Sequence, residues 1–190
     1  GGRVLRMNPD GSQQEVFADT DGRVLGLAFD DAGNLIVADA YRGLLSISPD
    51  RRVTMLANRA EGQPIGFANA VVVASNGRIY FSDATTRFPP SMWDQDGMTE
   101  EAARLDILEQ SATGRIIEYD PSSKSTRIVA TRISFANGVA LSDDQQSLFV
   151  NETGRYRVWK ISVKAENLDL CQDTPQASVV LENLPGFPDN

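Results

Sequence analysis

The stretch GFANAVVVASNGRIYFSDA, residues 66–84, decides how the rest of the chain is read. It holds a turn (Gly66–Asn69), an apolar run (Ala70–Ala74), a polar turn (Ser75–Arg78) and a second apolar run closed by Asp83. Two short runs rich in β-branched and aromatic residues, separated by a turn containing Asn-Gly, make a β-hairpin. The unbroken Val71–Val73 run suits a strand buried on both faces.

The same layout recurs. LGLAFDDAGNLIVADA (25–40) aligns with NAVVVASNGRIYFSDA (69–84), placing Gly33 on Gly77 and Asp39 on Asp83, 44 residues on. FANGVALSDDQQSLFVNET (135–153) repeats the hairpin with one extra residue in the turn at Asp143–Gln146. Each hairpin is followed by another strand pair: 43–57, 114–130 and 156–183, with an orphan pair at 2–18. A four-stranded unit repeating every ~40–45 residues is the signature of a β-propeller blade. The reading is therefore all-β, a single propeller domain over 1–190. It comprises the outer strands of one blade (2–18), three blades (25–58, 67–131 and 135–183) and the start of a further one (186–190). Closed propellers have about 4–8 blades, and an open stack leaves unpaired edges that natural proteins avoid. The remaining blades are expected from the rest of the protein or from another chain.

Composition narrows the function classes. The chain is acidic, with net charge −8, which argues against nucleic acid or an anionic membrane as partner. No apolar run approaches 18 residues, so no membrane span is expected. The single cysteine, Cys171, forms no intrachain disulfide, and this favours a reducing, cytoplasmic compartment. With no histidine in the chain, the usual neutral-pH base and the Ser-His-Asp triad are absent from these residues.

Strand direction places the chemistry. In an antiparallel blade the innermost strand starts on one face of the disc and the second strand returns to it. The tripeptide FAN opens two innermost strands and FPD the next, so Asn69, Asn137 and Asp189 fall on one face beside the channel. Taken singly, each is a turn residue; at matched repeat positions they are candidate ligands. Phe67, Phe135 and Phe187 read as packing residues under the turns, and Asp39 and Asp83 as structural hydrogen-bond acceptors. One connection on that face is long, 85–113. Within 94–111, Met98, Ala102, Leu105 and Leu108 or Glu109 follow helical spacing, with Thr99 as N-cap. This segment reads as a short cap over the channel or as an ordinary surface excursion. DQDG (94–97) lacks the remaining ligands of an EF-hand and reads as a turn.

The segments ADAYRGL, FANAVVVASNGRIYFSDA, TGRIIEYDP, FANGVALS, ETGRYRV and ENLPGFPDN resemble, in order, the landmarks of strictosidine synthase-like proteins. These are grouped with the SMP-30/gluconolactonase and paraoxonase-type enzymes, and the resemblance extends to the adipocyte plasma membrane-associated protein type. The resemblance implies a six-bladed propeller of the calcium-dependent phosphotriesterase/lactonase type. It also implies a divalent cation, generally calcium, held by a glutamate early in the ring and by Asn69, Asn137 and Asp189, with Asn190 as a further ligand. The glutamate landmark is expected upstream of Gly1. A second, structural calcium in paraoxonase-type members uses an acid where this chain has Ala70, which argues against that site. Calcium takes six to eight hard oxygens, and a His-free set of amides and acids suits it better than zinc.

Three functions follow as expectations. The first is a metal-dependent hydrolase acting on lactones or related esters, with Asp189 as the catalytic carboxylate orienting water and a small molecule as substrate. The second is a strictosidine synthase-like enzyme condensing an amine with an aldehyde, and the third a non-catalytic propeller that binds partners. NET (151–153) matches a glycosylation sequon, meaningful only in a secreted protein.

Overall fold

A computed structural model describes residues 1–92 and 98–190. Strands β1 (Arg3–Arg6) and β2 (Glu15–Asp19) form a hairpin. Strands β3 (Val24–Phe29), β4 (Leu35–Asp39), β5 (Gly43–Ile47) and β6 (Val53–Ala57) form an antiparallel four-stranded blade in sequence order. A small hairpin, β7 (Arg59–Ala60) and β8 (Gln63–Pro64), leads into β9 (Ala68–Val73) and β10 (Ile79–Asp83). After a 3-10 turn (Pro90–Met92) and helix α1 (Met98–Glu109), β11 (Gly114–Asp120) and β12 (Ser125–Ile133) complete the second blade. The third blade comprises β13 (Ala136–Leu141), β14 (Ser147–Glu152), β15 (Arg157–Ser162) and β17 (Ala177–Leu181). A short β16 (Leu168–Asp169) instead joins the outer edge of the second blade.

The blades stand side by side with their first strands innermost: β9 lies between β3 and β13. The reason is the pattern of burial. β4 and β10 are buried at every position, as befits second strands sandwiched between neighbouring blades. Ile36, Ala38, Leu44, Val71, Phe81 and Ile117 form one apolar layer between the first and second blades. Ile116, Val129, Leu148, Val150, Trp159 and Ile161 form the next. The architecture is thus an incomplete β-propeller of three four-stranded blades and a further hairpin.

The outer edge of the second blade is covered rather than left open. β16 pairs parallel with β12 through Ala130 and Thr131. Glu61, at the tip of the β7–β8 hairpin, accepts from the Ile128 N–H (3.1 Å). Both devices occupy edge groups that would otherwise template pairing with another chain. Among the described residues, no helix is long and apolar enough to cross a membrane.

Candidate functional site

The face on which the inner strands begin is organised by three buried acids at one repeat position, the end of each second strand. Asp39 Oδ1 accepts from the N–H groups of Arg23 (3.1 Å), Tyr41 and Arg42 (3.0 Å each), and Oδ2 from the Thr20 hydroxyl (2.7 Å). Asp83 Oδ1 accepts from the N–H groups of Gly66 (3.0 Å) and Phe67 (2.7 Å). Its Oδ2 accepts from Arg115 Nε (2.8 Å). Glu152 Oε1 accepts from the Ser134 N–H (2.8 Å), and Oε2 from Arg157 Nε (2.5 Å) and Trp159 Nε1 (2.7 Å). Each acid clamps the turn that feeds the adjoining inner strand, satisfying N–H groups that the sheet ladder cannot reach. Asp39 and Asp83 are the acceptors expected. Glu152 went unread as the third, although the extra turn residue carries it onto the place of Asp83.

These turns explain the repeated FAN. Phe67 and Phe135 are buried and meet edge to face, ring centroids 5.5 Å apart at 89°. Ala102, Ala103 and Ile107 of α1 pack on the same cluster. Two residues on, the asparagines meet: Asn69 Nδ2 donates to Asn137 Oδ1 (3.0 Å). Asn137 Nδ2 donates in turn to Thr153 Oγ1 (3.1 Å), whose hydroxyl donates to the Pro188 carbonyl (2.7 Å). The chain of donors runs in one direction because it ends on a carbonyl, which only accepts. It leaves Asn69 Oδ1 accepting no hydrogen bond among the described residues, and Asn137 Oδ1 with a second lone pair. Phenylalanine seats the turn beneath the helix, and asparagine links the starts of the two inner strands.

Asp189 is brought to the same place by its backbone. Its carbonyl accepts from the Gly138 N–H (2.9 Å) and from Asn151 Nδ2 (2.6 Å). The Asp189 side chain is exposed, as is Asn190, and neither side chain makes a hydrogen bond among the described residues. Gly138 is required because a Cβ there would overlap the Asp189 carbonyl. Gly138→Ala is therefore expected to displace 186–190 and cost ~1–3 kcal/mol, an overpacking penalty, measured by urea denaturation. Phe187 departs from expectation: it is 56% exposed and stacks on Tyr156 (4.9 Å). The NET tripeptide belongs to this scaffold, since the Asn151 amide is engaged and Thr153 is buried.

Helix α1 packs on the Phe67 and Phe135 turns and ties three blades together. Glu100 pairs with Arg23 before the first blade (3.1 Å), and Gln110 Nε2 donates to the Gly154 carbonyl beside the third (2.5 Å). The roots of the long connection are joined by Thr85 and Thr113, hydroxyls 3.2 Å apart. The buried face of α1 is turned from the one that apolar spacing suggested: Ala102 is buried as expected, but Met98 and Leu105 are only half-buried. Thr99, Ala102 and Asp106 are buried, whereas Leu108 is 69% exposed. Thr99 lies inside the helix rather than capping it. DQDG (94–97) lies outside the described residues.

The donor set fits a hard cation in kind. Two neutral amide oxygens and one free carboxylate are the ligand types calcium takes, though fewer than the six to eight it needs. Among the described residues, no group of three or more His, Cys, Asp or Glu side chains comes together. Leu25 occupies the matching position in the first blade, so that blade offers no oxygen there.

Comparison with known proteins agrees with this architecture. A solved gluconolactonase from Xanthomonas campestris superposes with TM-score 0.75 at 23% identity, over 100% of this chain and 58% of that one. A calcium-binding regucalcin from Agrobacterium tumefaciens superposes with TM-score 0.64 at 15% identity, over 97% and 53%. These likenesses establish the propeller fold. In sequence, the strictosidine synthase-like 7 protein of Arabidopsis thaliana is 36% identical over 177 residues, 93% of this chain and 43% of its own length. The adipocyte plasma membrane-associated protein of Danio rerio is 34% identical over 187 residues, 96% and 41% respectively. The chain thus spans about two fifths of the length of these relatives. The family profile of strictosidine synthase matches residues 69–166, from the first channel asparagine through most of the third blade, and the chain belongs to that family.

Proposed function

We propose that the protein is a metal-dependent hydrolase of lactones or related esters, with its cation, calcium foremost, at the channel end of β9 and β13. The observation that carries this reading is the one-way hydrogen-bond chain from Asn69 through Asn137 and Thr153 to Pro188. It holds two amides rigidly while leaving oxygen lone pairs unused. Preorganised oxygens are what a calcium site requires, because their positions need no rearrangement on binding. A bound divalent cation would supply Lewis-acid polarisation of a substrate carbonyl. Asn69 and Asn137 hold the inner strands in register at the channel end, and the exposed Asp189 carboxylate is placed to accept a proton from water. The similarity to a gluconolactonase and a calcium-binding regucalcin supports the reading, as do the all-oxygen side chains.

Further blades complete the ring in this reading. Leu5, Met7 and Val16 at one end of the stack and Val180 and Leu181 at the other are exposed apolar residues, suited to burial against neighbouring blades.

In the intact protein, calcium should raise the melting temperature, since a ligand that binds only the folded state stabilises it. Asp189→Ala should remove both this stabilisation and ester hydrolysis. Asn76→Ala should leave both intact, because Asn76 sits in the turn of the second blade at the end away from Asn69, where its carboxamide oxygen accepts the Arg78 N–H. Equal effects of the two substitutions, or no calcium response in the parent, would refute the site. Amine–aldehyde condensation by metal-free protein would instead support the activity that the family's name suggests.

A further inference from the structure

We propose that Asp106 is a positioning residue for Asn137. From helix α1 it takes the N–H of Phe135, the one turn donor that Glu152 does not reach, and so makes the seating of the helix part of the geometry of the amide pair.

The argument rests on comparing the repeats. Gly66 and Phe67 of the second blade correspond to Ser134 and Phe135 of the third. In the second blade both N–H groups converge on Asp83 Oδ1. In the third, the clamp acid is Glu152, and it receives only the Ser134 N–H. The Phe135 N–H has no backbone acceptor, nor any other side-chain acceptor among the described residues. Phe135 also takes a left-handed conformation, φ 55°, which a bulky residue adopts only when its surroundings hold it there.

What surrounds it is α1. Ala102, Ala103 and Ile107 pack against the Phe135 ring, and Asp106 lies on the same buried face. Asp106 is fully buried; Oδ1 accepts from the Ser111 hydroxyl, while Oδ2 has no partner of normal hydrogen-bond geometry. Burial pushes the carboxyl up, against the pull of the Ser111 and Thr85 hydroxyls and the Phe135 N–H beside it. A buried carboxylate oxygen left without a donor is costly, and the nearby N–H lacking an acceptor is the complementary defect. Closing that gap resolves both at once. Phe135 lies two residues before Asn137, so the turn it fixes sets where β13 begins.

The test is amide exchange by NMR in the intact protein, comparing Asp106→Leu, which keeps the shape without an acceptor, with Asp106→Asn, which keeps a carbonyl oxygen. In the Leu variant the Phe135 amide should exchange ~10-fold faster or more, the size expected for one lost buried hydrogen bond. Ser134 and Phe67, held by Glu152 and Asp83, should be unchanged. The Asn variant should stay within about threefold of the parent. Unchanged exchange at Phe135 in the Leu variant, or equal loss in both variants, overturns the proposal. If the Leu variant does not fold, Asp106→Ala takes its place: faster exchange at Phe135 than in the Asn variant supports the proposal, and unchanged exchange overturns it. The consequence for the cation rests on the functional reading above, in which the Leu variant should weaken calcium-dependent stabilisation. If Phe135 responds as expected while calcium has no effect on the parent, the positioning role stands and the cation reading falls.

Discussion

Asp83→Ala is expected to destabilise the protein by ~3–5 kcal/mol, the cost of breaking a buried ion pair by removing one partner. Arg115 is almost fully buried, and among the described residues its guanidinium would keep only the Pro64 carbonyl (2.5 Å) as an acceptor. The N–H groups of Gly66 and Phe67 would lose their shared acceptor at the same time. Burial pushes the Asp83 carboxyl up, while the Arg115 guanidinium and the two N–H groups pull it down. The carboxylate is therefore useful only while all of its donors are present. Asp83→Asn separates the two contributions: its carbonyl oxygen still serves Gly66 and Phe67, but Arg115 faces a neutral amide. The Asn variant should fall between the parent and the Ala variant in chemical denaturation. A loss below about 1 kcal/mol in the Ala variant would mean that the turn is held by packing alone.

This clamp shows how far the sequence could be read. The hairpin pattern and the 44-residue spacing were enough for the propeller, because a four-stranded unit recurring at that period is a blade. The Val71–Val73 run, read as buried on both faces, is only half-buried at Val72 and Val73. The matched places of Asn69 and Asn137 were also legible, since repeat register fixes the end of the blade on which a residue falls. The hydrogen bond between them was not, because it depends on how closely two inner strands approach. The buried face of α1 was misread for a physical reason. Spacing rules equate apolar with buried, yet this helix buries Thr99 and Asp106 and leaves Leu108 in solvent. A polar contact carried by one helix turn leaves no periodic trace. Phe187 shows the converse: its tripeptide has the repeat pattern, yet the ring stacks on Tyr156 at the surface instead of packing under a turn.

Glu152→Ala is expected to cost as much as Asp83→Ala, ~3–5 kcal/mol, and to damage the amide site as well. Glu152 is fully buried and is the acceptor for Arg157, Trp159 and the Ser134 N–H. The Arg157 guanidinium lies 4.6 Å from the centroid of the Trp159 ring. Removing the carboxylate thus frees a cation and an indole that it had aligned. The next residue is Thr153, the link from Asn137 to Pro188. A shift of the β14 end would break that link before the blade unfolds. Glu152→Gln makes the distinction measurable. Gln retains one oxygen for Ser134 but presents an NH₂ group to Arg157 and Trp159, both of which only donate. The Gln variant should keep the turn at Ser134 while losing much of the stability. Amide exchange should show Ser134 protected in the Gln variant and exposed in the Ala variant. Ser134 remaining protected in both would place the whole effect on Arg157 and Trp159, and would remove Glu152 from the set of turn clamps.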